Sequence, residues 1–140
     1  MIVVDTTVWI DFFEGRGSRF DEHLTTLIAS GAPVALTDLI YGEILQGIAD
    51  QLLYERTRDL LQAHPIFLVR GLATFERAAN IYRACRKRGL TVRKTADCVI
   101  AATCLEADAE LYHNDRDYDA IAKVGALRIH RAPSGAHGSP

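Results

Sequence analysis

No stretch of this chain stays apolar long enough to span a bilayer, and its start, MIVVDTT, lacks the basic flank and long apolar core of a signal peptide. The expectation is a cytosolic protein with no membrane partner. Cysteine is scarce: Cys85, Cys98 and Cys104 form an odd set without CxxC spacing. That argues against a disulfide framework or a structural zinc site and leaves three reduced, small core residues. No HExxH pair is present either. Charge of one sign is also lacking, since 16 Lys and Arg face 18 Asp and Glu for a net charge of −2. By its sum alone, this is not a surface coated for nucleic acid. Internal repeats and low-complexity core segments are absent.

What is present is enough for one domain. The chain has 140 residues, of which 49% are hydrophobic, and can bury a core of its own. The domain is expected over residues 1–132, with the tail 133–140 (PSGAHGSP) disordered and outside the fold. Five short β-prone runs are expected: Ile2 to Val4, Val34 to Leu36, Ile66 to Val69, Glu110 to Tyr112 and Leu127 to Ile129. Helical periodicity fills the gaps between them. Gly15-Arg16-Gly17 stops the first helix, Ser18 caps the second, and Thr37 or Asp38 caps the third. Leu53, Leu60 and Leu61 mark the core stripe of a fourth, ended by His64-Pro65, and Leu72, Phe75, Ala79 and Tyr82 that of a longer fifth, ended by Gly89. Strands alternating with helices require crossover connections, and therefore a parallel sheet covered on both faces. In such sheets ligands sit outside the carboxyl ends of the strands.

Four acids attract attention under that rule. Asp5 follows the buried run Ile2-Val3-Val4 directly, where a carboxylate costs desolvation unless a cation or hydrogen bonds compensate. Glu43 flanks the apolar stripe of the third helix, although a solvated helix glutamate would also fit. Asp97 comes two residues after Thr95, a natural N-cap, and an acid there also complements the helix dipole. Asp115, within Asn114-Asp115-Arg116-Asp117, follows the strand ending at Tyr112, and Asn114 or Asp115 would serve as an ordinary cap. Each acid alone has a structural explanation; their joint placement at strand exits, helix starts and buried edges does not follow from independent caps. Carboxylates brought within a few Å repel unless cations intervene, and an all-oxygen set suits Mg²⁺ or Mn²⁺ rather than zinc. Such a cage lowers the pKa of bound water and stabilises charge on a phosphodiester in flight. From Arg83 to Lys94 there are six basic residues and no acid, running straight into Asp97. Arg86, Lys87, Arg93 and Lys94 are read as a phosphate-contacting rim, against the plainer reading of a solvated helix end.

The pieces VVDTTVWIDFF, GEILQG around Glu43, TADCVIAA around Asp97 and HNDRDYDAIA around Asp115 make the chain resemble the PIN-domain ribonucleases, and within them the VapC-type toxins of toxin–antitoxin pairs. The resemblance covers nearly the whole chain. It implies a Rossmann-like three-layer α/β/α sandwich around a parallel sheet, Mg²⁺- or Mn²⁺-dependent endoribonuclease activity, a homodimer, and a cognate antitoxin whose tail blocks the active site. It places Asp5, Glu43, Asp97 and Asp115 in the family's acidic metal-binding quartet and Asp117 as an additional acid of the last motif. Thr6 and Thr7 fall where the family carries hydroxyls that bond a ligand carboxylate or a phosphate; capping the following helix is the alternative. Competing readings are a non-catalytic RNA-binding regulator, in which the basic stretch binds and the acids are caps, and a Mg²⁺-dependent phosphatase of haloacid dehalogenase type. The latter class wants a second aspartate two residues after the first, where this chain has Thr7. A receiver domain fits less well still, since it wants paired acids after the first strand.

Overall fold

A computed structural model describes residues 1–133. Apart from Pro133, the expected tail lies outside the described residues. The strands are β1 Ile2–Val4, β2 Val34–Thr37, β3 Ile66–Phe67, β4 Glu110–Tyr112 and β5 Ile129–His130, all parallel and ordered β3-β2-β1-β4-β5. The helices are α1 Thr6–Glu14, α2 Arg19–Ala29, α3 Asp38–Gln46, α4 Gln51–Gln62, α5 Leu72–Lys87, α6 Thr95–Glu106 and α7 Asp117–Val124. Helices α1 to α4, which carry the chain outward from β1 through β2 to β3, pack on one another; α5, α6 and α7, which serve β4 and β5, pack as a second set. Right-handed crossovers put these two sets on opposite faces, giving the expected α/β/α sandwich.

The central strands are buried on both faces. Val3, Val4, Ala35, Leu36, Leu111 and Tyr112 have no exposed surface, which is why these runs read as continuously apolar instead of alternating. Strand β3 stops two residues short of the expected Val69 because the Val69 amide leaves the ladder and donates to Asp38 Oδ2 (3.1 Å). Strand β5 starts later than expected, although Leu127 is buried.

Helix ends follow local chemistry. Gly15 takes the left-handed conformation (φ 63°) that ends α1, and the Ser18 and Thr37 hydroxyls cap α2 and α3. Thr95 is the first residue of α6 and not its cap; that position falls to Lys94, without a side-chain cap bond. The expected core stripes of α4 and α5 are partly wrong. Leu61 is buried, but Leu53, Leu60, Leu72 and Phe75 are exposed. Helix α5 instead turns Thr74, Ala78, Ile81 and Cys85 inward, a stripe rich in small residues that lets α5 lie close to α6. Trp9 packs in the core against Phe12, Phe13 and His64. The three cysteines are free and buried, as expected.

Candidate active site

The chain leaves β1 toward β2 on one side, while β4 lies on the other, so a crevice opens at the carboxyl ends of β1 and β4 where the strand order reverses. The Asp5 amide donates to Tyr112 O (2.9 Å), tying the two strand exits together. Asp5 is also the N-cap of α1, so the capping role and the candidate ligand role meet in one side chain.

Asp5 is 3% exposed, and both its oxygens are engaged. Oδ2 accepts from Thr7 N (3.2 Å) and Thr7 Oγ1 (2.8 Å), and Oδ1 accepts from the Tyr118 hydroxyl (2.9 Å). The same hydroxyl reaches Asp97 Oδ1 at 3.3 Å. One proton therefore serves two carboxylates, and the second oxygen of Asp97, Oδ2, is buried with no hydrogen-bond partner. Burial, followed by the negative charges of Asp5 and Asp115, pushes Asp97 up to about 7, while the Tyr118 bond and Lys94 pull the other way. Burial and the two neighbouring carboxylates hold Tyr118 well above the usual phenol range, so it remains a donor.

The second pair is built differently. Asp115 Oδ1 accepts from Asp117 N (3.0 Å), and the Asp115 carbonyl accepts from Tyr118 N (3.2 Å), but the N-cap position of α7 falls to Arg116 and not to the expected Asn114 or Asp115. The Arg93 guanidinium bridges the two side chains, with Nε 3.1 Å from Asp117 Oδ2 and a terminal nitrogen 3.4 Å from Asp115 Oδ1. The Arg93 amide also donates to Asp117 Oδ2 (3.3 Å). These bonds raise Arg93 above its ordinary range. One carboxylate oxygen from each of Asp97, Asp115 and Asp117 lies within 4.8 Å of the others.

Glu43 approaches from α3. Its Oε1 accepts from the Thr6 hydroxyl (2.7 Å), so it is joined to Asp5 through the neighbouring residue and lies outside the three-acid group. Thr6 and Thr7 thus both donate to carboxylates, and Thr7 Oγ1 additionally accepts from Asn114 N (3.2 Å), pinning the β4–α7 loop to the start of α1. Of the basic residues, Arg93 sits among the acids, Lys94 is exposed at the start of α6, and Arg86 and Lys87 are exposed in the last turn of α5. His113 has one nitrogen, Nδ1, accepting from the Asp115 amide (3.0 Å); burial lowers its pKa, so the ring is a neutral spacer that shapes the loop.

The residue the sequence reading passed over is Tyr118. Tyr118 is fully buried, and a buried phenol needs a partner for its hydroxyl, but the face that a tyrosine of so short a helix turns inward is not marked in the sequence.

An all-oxygen donor set with a buried, unpartnered carboxylate oxygen fits a hard divalent cation. Metal–oxygen distances of about 2.1 Å for Mg²⁺ place neighbouring ligand oxygens roughly 3 to 4 Å apart, compatible with the spacing here.

Comparisons with known sequences and structures identify the family. The family model described as PIN domain matches residues 2–124. VapC ribonuclease Mb1587 of Mycobacterium bovis is 35% identical over 129 residues, covering 91% of this chain and 96% of the relative, and ribonuclease VapC11 of Mycobacterium tuberculosis matches equally. Among solved structures, VapBC2 from Rickettsia felis, bound to a DNA fragment from its promoter, superposes with a TM-score of 0.72 at 16% identity, covering 93% of this chain and 98% of that one. VapBC-1 from nontypeable Haemophilus influenzae gives 0.68 at 19%, with 93% and 97% covered. The chain belongs to the PIN-domain family. Within that family its curated relatives are of VapC type.

Proposed function

We propose that this protein is the toxin of a type II toxin–antitoxin pair, an endoribonuclease that depends on Mg²⁺ or Mn²⁺ and works in the cytosol. The observation that carries the reading is the convergence of Asp5, Asp97, Asp115 and Asp117 at the strand-order reversal, with Asp97 Oδ2 buried and unpartnered. Asp97, Asp115 and Asp117 would hold the cation, with Asp5 beside them and Glu43 completing the acidic wall through Thr6. When bound, the cation supplies an acidified water and charge stabilisation at the scissile phosphate.

The chain's own residues do the rest. Tyr118 keeps the Asp5 and Asp97 carboxylates facing each other across one hydroxyl and stays protonated while doing so. Thr7 holds Asp5 Oδ2 with its amide and hydroxyl and ties the loop bearing Asp115 to α1. Arg93 offsets repulsion between Asp115 and Asp117 and holds one oxygen of each. Arg86, Lys87 and Lys94 offer exposed positive charge for RNA phosphates, an attraction that falls with salt. Thr6, engaged by Glu43 here, sits where its hydroxyl exchanges that carboxylate for a substrate oxygen.

Partners follow from the relatives. A similar solved structure is named a toxin–antitoxin complex from Klebsiella pneumoniae, and by analogy this chain takes a cognate antitoxin; the homodimer is what the family resemblance implies. Purified protein incubated with total RNA tests the reading: cleavage requires Mg²⁺ or Mn²⁺, stops in chelator, returns on readdition, and is lost in Asp97→Asn. Full cleavage in chelator would refute it. Silent acids combined with loss of RNA binding on removing the basic charges would favour the non-catalytic regulator instead.

A further inference from the structure

Beside the acid cluster lies a second concavity, with a volume of about 420 Å³, that shares Asp115 as a wall and opens at the carboxyl ends of β4 and β5. Its composition differs from that of the acid cluster. Three exposed arginines, Arg19, Arg116 and Arg131, stand around it, contributed by the start of α2, the β4–α7 loop and the chain beyond β5. Phe20 and Ile129, both half-buried, give it an apolar floor, and the Arg19 guanidinium lies 5.0 Å over the Phe20 ring.

One wall carries unused hydrogen-bonding capacity. His113 is only 9% exposed, its Nδ1 is taken by the Asp115 amide, and its Nε2 has no hydrogen-bond partner. That Nε2 lies 3.5 Å from Asp119 Oδ1, which is itself buried without a hydrogen bond and 4.0 Å from the Arg131 guanidinium. With one oxygen turned inward in this way, the exposure of the Asp119 side chain, 47%, falls on the rest of the carboxylate at the cavity wall. A half-exposed acid with one guanidinium 4.0 Å away and no short bond is an acceptor awaiting donors.

We propose that this concavity binds the nucleotide of an RNA chain adjacent to the scissile phosphate, and that the base it favours is guanine. This rests on the ribonuclease reading of the neighbouring acids. The size suits one base with its sugar, and the ring of Phe20 with its overlying guanidinium gives a surface on which a base stacks. A carboxylate accepts from the N1–H and N2–H donors that only guanine presents side by side, and arginine donates to its O6 and N7. Asp119 and Arg131 supply that pair from one wall. Arg19 and Arg116 then face the backbone, where phosphates on either side of the nucleotide need cations. Asp119 and Arg131 are specificity-determining residues and not catalytic ones.

The test reads binding, in chelator, so it does not depend on cleavage. Short oligoribonucleotides differing only in a central G, A, U or C, together with free guanosine monophosphate, are titrated against the full chain by NMR. The G-containing oligonucleotide binds more tightly than the other three by about fivefold or more, the value of one good bidentate contact. Asp119→Asn removes that preference while leaving the other three unchanged, and Arg131→Gln weakens it in the same direction. Equal binding of all four, or a preference for G that survives Asp119→Asn, overturns the proposal. Tighter binding of the free nucleotide than of the oligonucleotide overturns it too, marking a mononucleotide site instead. Failure of the wild type to cut RNA in Mg²⁺ refutes the ribonuclease reading and leaves this titration to stand on its own result.

Discussion

The two halves of the acid cluster solve the same electrostatic problem in opposite ways. Asp5 and Asp97, both buried, share one neutral hydroxyl. Asp115 and Asp117 share a guanidinium whose side chain is 58% exposed. A hydroxyl orients two carboxylates but does not cancel their charge, so the first pair is left with an acid that ionises only near neutrality and an oxygen with nothing to bond. The second pair carries its own counter-ion. A cation therefore gains most by binding toward Asp97, while at the Asp115–Asp117 side the guanidinium already offsets part of the repulsion between the two carboxylates.

Substitutions at the first pair should have the largest effects. Asp97→Asn abolishes cleavage, yet raises the melting temperature of the metal-free protein, because a buried and uncompensated charge is gone; a fall in melting temperature would contradict the account. The same residue makes metal-free stability depend on pH. Its folded pKa of about 7 lies above the ordinary value of 3.8, so between these two values the folded state holds a proton that the unfolded chain has released. Stability contributed by the protonated form is full below about pH 4 and is lost as pH rises through about 7, an effect of at most about 4 kcal/mol. Denaturant titrations of metal-free wild type from pH 5 to 8 should show this decline, and Asp97→Asn should flatten it. Tyr118→Phe comes next. It removes the hydroxyl that bonds both carboxylates and should weaken metal affinity by about 10- to 100-fold, measured by calorimetry, while raising the Asp97 pKa further. Arg93→Gln ranks last, since an exposed guanidinium is screened by water and salt. Its melting shift should be smaller than that of Asp97→Asn and should shrink further as salt is added.

Much of this comparison could be read from the residues alone, for a physical reason. Asp5, Asp97 and Asp115 abut apolar runs, so their desolvation is visible in one dimension, and the alternation of strands and helices fixes which ends converge. Tyr118 was not legible, because whether an aromatic hydroxyl points into the core or along its edge depends on the turn of a short helix. The function of Arg93 was equally hidden. In sequence it is one cation in a basic run, and only folding sets it 3.1 Å from Asp117. The stripe of α5 is hard to read because Leu72 and Phe75 are strongly apolar yet exposed, whereas the inward positions are Thr74, Ala78, Ile81 and Cys85, three of them small. The concavity bounded by Arg19, Arg116 and Arg131 draws on three distant segments and leaves no local mark.

The claim on which everything else depends is that Asp97 faces a cation. Binding of Mn²⁺, followed by electron paramagnetic resonance at pH 8 in the absence of RNA, reads this directly. The account predicts saturable binding to wild type and its loss in Asp97→Asn with the fold intact by circular dichroism. Equal binding by the two proteins would contradict it.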